Sequence, residues 1–134
     1  QSFRNSQEDE FVDILNLLKL DPLKNRKLSG LSKGQLQKVG LASSMIGDLD
    51  LFFLDEPFSG LDPLAIRDVK DLFLHMKSKG KTVYLNSHIL AEMEILADSF
   101  AILHQGEIKV SGKKDELLNG KSLEQFFIET VKEI

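Results

Sequence analysis

A run of four apolar residues, Leu51–Leu54, constrains the fold of this chain more than any other feature of its sequence. The run shows no polar alternation and is flanked by turn signals, a pattern that predicts a strand buried on both faces, as in a parallel sheet. Thr82–Leu85 and Phe100–Leu103 are the next β-rich runs, and segments with helical spacing separate the three. Strand, helix, strand, helix, strand is typical of an α/β fold with a parallel sheet.

Capping residues and apolar spacing predict the helices around these strands. We expect helices over Glu8–Leu20, Ser32–Gly47, Pro63–Gly80, Ile89–Ala97, Lys113–Leu118 and from Ser122 onward. The second of these helices should bury six apolar residues, namely Leu36, Val39, Leu41, Ala42, Met45 and Ile46. A hairpin with a three- or four-residue turn at Gln105-Gly106 should follow the third strand.

Composition narrows the class of protein. The 134 residues carry a net charge of −4 and no cysteine, which excludes a disulfide framework and argues against a basic nucleic-acid footprint. The longest apolar runs are tetrads, far short of the roughly 20 residues that a membrane-spanning helix needs. We therefore expect one soluble, cytosolic domain.

Two acidic residues, Asp55 and Glu56, directly follow the first strand. Ligands of open α/β sheets gather at the carboxyl ends of strands. One carboxylate there can hold Mg²⁺, usually through water, while its neighbour activates a nucleophilic water. The alternative interpretation is a solvated acidic turn.

The segment Ser32-Lys33-Gly34-Gln35 stands at the head of a predicted helix. Free backbone N–H groups and the helix dipole make such a start an anion site, and Gly34 would let a phosphate approach the backbone. The alternative is that Ser32 is only an N-cap.

Two further features lie at the ends of predicted elements. His88 follows the second strand, where a near-neutral pKa would suit contact with a phosphate. The loop Ser59-Gly60-Leu61-Asp62 precedes Pro63, and Asp62 could cap the next helix. His75 and His104 are expected to be surface residues.

In their order and spacing, these elements resemble the second half of an ATP-binding cassette (ABC) ATPase domain, over roughly Leu28 to Gly112. By this resemblance, Leu31–Gln35 would be the signature motif and Leu51–Asp55 the Walker B strand. Glu56 would be the catalytic glutamate, residues 59–62 the D-loop and His88 the switch histidine. Lys33 replaces the usual glycine of the signature, and Lys38 stands where the family often has arginine.

The resemblance implies a partial P-loop NTPase core. Residues 1–48 would be part of the helical subdomain, residues 49–112 the core from Walker B to the switch histidine, and residues 113–134 a helical tail. No Gly-x-x-x-x-Gly-Lys-Ser/Thr loop occurs in the 134 residues, since Gly80-Lys81-Thr82 and Gly120-Lys121-Ser122 both lack the first glycine. We therefore expect the chain alone to be marginally stable, oligomeric or partly disordered, and inactive.

As the resemblance further implies, two cassettes close head to tail around two ATP molecules. Asp55 would hold Mg²⁺, Glu56 would polarise water, and His88 would contact the γ-phosphate. Ser32, Lys33, Gly34 and Gln35 would reach the nucleotide of the other subunit. The expected protein is an exporter-like ATPase subunit at the inner face of the membrane, with permease subunits and no nucleic acid as partners. A soluble non-transport ATPase and a truncated dimerisation module remain the alternatives.

Overall fold

A computed structural model describes residues 2–132, with side chains from residue 6 onward. The chain divides into two compact units, Gln1–Ser87 and His88–Ile134, which we call the first and the second unit. The first unit contains α1 (Ser2–Leu17), α2 (Lys33–Ser44), β1 (Leu51–Asp55), α3 (Pro63–Ser78) and β2 (Thr82–Asn86). The second unit contains α4 (Leu90–Leu96), β3 (Ser99–His104), β4 (Glu107–Lys113), α5 (Lys114–Leu118) and α6 (Leu123–Lys132).

The first unit is built on a parallel strand pair. β1 and β2 run side by side with Phe52 opposite Val83 and Asp55 opposite Asn86. α3 crosses between the strands and packs against β2 and α1, while α1 also contacts α2. The predicted α/β fold with parallel strands is therefore confirmed.

One face of this strand pair carries the core of the first unit. Phe52 is buried, as are Val69, Leu72, Phe73 and Met76 of α3, the helix that packs against β2. The opposite face is exposed: Phe53 is 70% accessible, Leu51 50%, and Phe53 contacts Tyr84 with ring centroids 5.4 Å apart. The prediction that Leu51–Leu54 is buried on both faces is wrong, because the described helices of this unit cover one face only.

The ends of α2 differ in how well the sequence predicted them. Its start after Ser32 is confirmed. It ends at Ser44, before the expected stop at Gly47, and Met45 is its C-cap. Ile46 and Leu36, both expected to be buried, are exposed, because Ile46 lies beyond the helix and Leu36 lies on its outer side.

The second unit contains an antiparallel hairpin, in which β3 pairs with β4. Within this unit the described partner of β3 is therefore an antiparallel strand, as the predicted hairpin requires. The turn has two residues instead of three or four: Gln105 and Gly106 have φ of 50° and 78°, the left-handed pair that tight hairpins require. α6 packs against α4 and β4, and the Ser122 hydroxyl accepts a hydrogen bond from the Gln125 N–H at its start.

Candidate active site

The carboxyl ends of β1 and β2 bring Asp55 and Asn86 together. Asn86 Nδ2 donates a hydrogen bond of 2.7 Å to Asp55 Oδ1, and both residues are exposed. No lysine or arginine in the described part of the chain forms an ion pair with Asp55. A neutral amide thus orients the carboxylate without neutralising its charge, which leaves oxygen lone pairs for a hard cation.

Glu56 lies where the chain leaves β1. Its N–H donates to Asn86 O at 2.7 Å, so the strand pairing extends to the residue that turns away. Its φ of +48° lies in the left-handed region, which costs a non-glycine residue on the order of 1–3 kcal/mol. Glu56 is half-buried and its Oε2 is shielded from solvent. The left-handed backbone therefore orients the Glu56 side chain differently from a residue in an extended strand.

The loop after Glu56 is anchored by apolar packing. Pro57 and Phe58 are buried, and Phe58 contacts Phe73 of α3 edge to face with centroids 5.8 Å apart. Gln37 Nε2 of α2 donates to Pro57 O at 3.3 Å. These contacts offset the strained backbone at Glu56 and tie the loop to both neighbouring helices.

The predicted signature segment forms the tip of α2. Ser32 and Gln35 form a capping box: Gln35 N–H donates to Ser32 Oγ at 3.2 Å, and Ser32 N–H donates to Gln35 Oε1 at 2.9 Å. Ser32 and Lys33 are exposed. The N-cap interpretation of Ser32 is thus correct. The backbone N–H groups of Lys33 and Gly34 take no part in the capping box.

The predicted D-loop packs against this tip within the same chain. Asp62 caps α3 by accepting a hydrogen bond of 2.8 Å from Ala65 N–H. Gly60 has a φ of +73°, and a Cβ there would lie 3.2 Å from Lys33 Cε. Leu61 lies near Gly34, with Cδ2 3.6 Å from the position of an added Cβ. The two segments, 32–35 and 59–62, are therefore neighbours.

A cleft of about 170 Å³ lies between α2 and the end of β1. Gln37, Ser44 and Asp55 supply polar groups to its lining, and Gly40, Leu41, Leu54 and Pro57 complete it. A larger cavity of about 340 Å³ lies along α6 and contains none of the predicted site residues. Only the smaller cleft therefore adjoins the candidate site.

No cluster of three or more metal-binding side chains occurs among residues 2–132. Asp55 and its neighbours could still hold Mg²⁺, because this ion is usually bound through one or two carboxylates together with water and substrate phosphates. The donor set at the strand ends, all oxygen and amide groups, fits such an ion.

The first unit thus contains all of these candidate residues up to Asp62, and within it segment 32–35 contacts segment 59–62 while Asp55 and Glu56 contact Asn86. His88 opens the second unit, where it is exposed just before α4. His75 and His104 are half-buried and not the surface residues that we predicted. Sequence reasoning missed Gln37 and Asn86 as site residues; the position of Asn86 at the end of the second strand was the available signal.

Comparisons with known proteins identify relatives in sequence and in structure. A family model described as "AAA domain, putative AbiEii toxin, Type IV TA system" matches residues 2–94. An uncharacterized ABC transporter ATP-binding protein of Nostoc sp. is 44% identical over 90% of this chain and 36% of its own length. The lantibiotic transport ATP-binding protein SrtF of Streptococcus pyogenes is 34% identical over 90% of this chain and 51% of its own length. The chain thus spans about a third to a half of these relatives.

A solved structure of the ATP-binding subunit of an ABC transporter superposes with a TM-score of 0.78 at 34% identity, over 93% of this chain and 54% of that one. The fold is therefore that of an ABC ATPase cassette. The chain belongs to the AAA-domain family that the model describes, and these relatives in sequence and structure are ABC transporter ATP-binding proteins. None of the helices between residues 2 and 132 has the length and hydrophobicity to cross a membrane.

Proposed function

We propose that this chain supplies the hydrolytic and partner-facing elements of an ATPase that drives transport, in the direction of export, across a membrane. The family of ABC transporter ATP-binding proteins implies ATP as the nucleotide and Mg²⁺ as its usual ion. One observation carries the proposal: Asp55 and Glu56 end a parallel strand beside Asn86, in the same unit as a capped, exposed helix tip.

Asp55 is proposed to hold Mg²⁺, through water, at the end of β1. Its support is the hydrogen bond with Asn86, which fixes the carboxylate and leaves its charge uncompensated by any described cation. A bound Mg²⁺ would neutralise charge on the phosphates. The residues of this chain would orient that ion and keep its position relative to the strand ends constant.

Glu56 is proposed to polarise the attacking water. Its support is the left-handed backbone at Glu56, since strained conformations cluster at catalytic positions, together with the partial burial of its carboxyl group. His88 is proposed to contact the γ-phosphate. An imidazole N–H can donate a hydrogen bond to a phosphate oxygen, which suits this role.

Ser32, Lys33, Gly34 and Gln35 are proposed to contact the nucleotide bound by a second cassette, in a head-to-tail dimer. The exposed tip of α2 supports this proposal, because its N–H groups and the Lys33 ammonium attract an anion from outside the molecule. Residues 59–62 would link the two sites, since they already contact the tip in the same chain. We propose permease subunits as further partners and the inner membrane face as the location.

The 134 residues alone are proposed not to hydrolyse ATP, because they contain no phosphate-cradling glycine loop. The domain organisation expected from the sequence, with residues 1–48, 49–112 and 113–134 as parts of one cassette, is retained within this proposal.

The decisive experiment is Glu56→Gln in the full-length protein that contains this sequence. We expect ATP binding to persist while kcat falls roughly 10²–10⁴-fold, because the amide cannot accept a proton from water. Glu116→Gln, on the exposed surface of α5, is the matched control and should leave kcat unchanged. Normal turnover by Glu56→Gln would refute the proposed roles.

A further inference from the structure

A nearly buried ion pair joins α2 to α3. Lys38 Nζ lies 2.9 Å from Asp68 Oδ2, and the two side chains are only 12% and 14% exposed. Removing two charges from water costs several kcal/mol per ion unless geometry and further contacts repay it, so such a pair is seldom kept for stability alone. Neither residue lies in the segments 32–35, 55–56 or 59–62, and so the proposed chemistry does not use the pair directly.

Lys38 follows Gln37, which makes the other polar contact from α2. Gln37 Nε2 reaches Pro57 O, at the start of the loop after β1, whereas Lys38 reaches Asp68, in the second turn of α3. Adjacent residues of an α-helix point about 100° apart around its axis. Beside the apolar packing of α2, two polar contacts in different directions restrict its rotation more than one contact would.

The rotation of α2 decides where its tip faces. Ser32 and Gly34 lie within two turns of Lys38 on the same rigid helix, and Lys33 packs across Gly60 of the following loop. A change in the roll of α2 would therefore move the tip and residues 59–62 together.

We propose that Lys38 and Asp68 form a positioning pair, which sets the rotation of α2 and so the direction in which the tip meets the nucleotide of a partner cassette. This inference rests on the proposed function. Because the tip contacts the nucleotide of the partner cassette, loss of the pair should lower turnover by the closed dimer. It should change nucleotide binding by a single subunit less.

The test measures ATPase kinetics of the full-length protein with Lys38→Met, which keeps the aliphatic stem and removes the charge. We expect kcat to fall about tenfold, because displacements near 1 Å are enough for such losses, while the KM for ATP changes less than about threefold. Lys38→Arg keeps the charge and should retain kcat within about threefold.

Lys81→Met is the matched control. Lys81 is 11% exposed and pairs with the exposed Asp48 and Asp50, so it resembles Lys38 in its own burial and in having aspartate partners, but it lies before β2, at the other end of the strands. We expect its kcat to stay within twofold of the wild type when both variants are assayed well below their melting temperatures.

The variants Asp68→Asn and Lys38→Met/Asp68→Asn complete the cycle. A double variant no slower than the slower single variant supports the pair, because one interaction cannot be lost twice. Three results would overturn the proposed pair. They are kcat losses of the two single variants that multiply in the double variant, a loss of kcat in Lys81→Met equal to that in Lys38→Met, or a raised KM at constant kcat. If Lys38→Met does not fold, the contrast between Lys38→Arg and Asp68→Asn decides. A wild-type protein without Mg-ATPase activity, or an active Glu56→Gln, would instead refute the proposed function.

Discussion

The two ends of the strand pair β1–β2 carry acidic residues in opposite situations. At the amino end, Asp48 and Asp50 precede β1, and Lys81 approaches both, with Nζ 3.4 and 3.3 Å from their Oδ1 atoms. At the carboxyl end, the amide of Asn86 contacts Asp55, and no described cation pairs with it. The same short strands thus separate two acids that share one lysine partner from an acid that has no described cation partner.

The kind of partner, lysine or amide, distinguishes carboxylates with a structural role from those that could act in chemistry. Their spacing in the sequence does so less well. An acid with a lysine partner holds two loops together at modest gain. An acid held by a neutral amide has a fixed direction and an uncompensated charge, which a divalent cation can satisfy. Backbone geometry follows the same division, since the non-glycine residue with a left-handed φ next to these strands is Glu56, at the carboxyl end.

The largest expected effect comes from exchanging one carboxylate at each end for an amide. Asp55→Asn in the full-length protein should lower kcat roughly 100-fold and raise the Mg²⁺ concentration needed for half-maximal activity, because the ion loses the charge that holds it. Asp50→Asn, at the amino end, should change kcat less than twofold. Steady-state ATPase assays across a Mg²⁺ titration measure both; equal losses in the two variants would erase the distinction between the ends.

Two glycines extend the comparison to the loops. Gly60, after the carboxyl end, and Gly80, before the amino end of β2, have φ of 73° and 76°. Alanine at either position should cost about 1 kcal/mol of stability, because an L-residue is strained there. An added Cβ at Gly60 also meets Lys33, whereas at Gly80 it meets open space. We expect about a tenfold loss of kcat for Gly60→Ala and none for Gly80→Ala, with unfolding curves to confirm similar stability losses; the reverse order of activities would contradict this account.

The smallest effect concerns the ion pairs of the amino end. Burial alone would lower the pKa of Lys81, but the hydrogen bonds and charges of Asp50 and Asp48 outweigh it and raise the pKa above the ordinary value of 10.5. A raised pKa means that the pairing stabilises the fold fully below pH 10.5 and that this stabilisation is lost as the pH rises through the folded-state value. Lys81→Met should lower Tm by no more than a few degrees at pH 7–9, and calorimetry should show the difference shrinking above about pH 10.5. A difference that grows with pH would contradict this.

Much of the local structure follows from capping chemistry, and so it could be predicted. Ser32, Asp62 with Pro63, and Ser122 each begin a helix as expected, because a side-chain oxygen at these positions satisfies a free backbone N–H. The strands were also correctly placed, since short runs rich in β-branched and aromatic residues between turn signals favour strands over helices.

Pairings between distant segments were beyond local reasoning. Asp55 with Asn86 and Lys38 with Asp68 join residues about thirty positions apart, and their contact depends on strand register and helix rotation. The prediction that Phe53 is buried was wrong for a related reason. Its apolar character favoured burial, but burial depends on which elements pack on each face of the strand pair.

The capping box at Ser32 has a consequence for how the helix tip could read a ligand. Its hydroxyl already accepts a hydrogen bond from the Gln35 N–H, and one remaining hydrogen is free to be donated. A ligand at this tip therefore meets the Ser32 hydroxyl as a hydrogen-bond donor. The backbone N–H groups beside it can also only donate hydrogen bonds. Such a surface favours oxygen-rich anions and discriminates against ligands that themselves carry only donors.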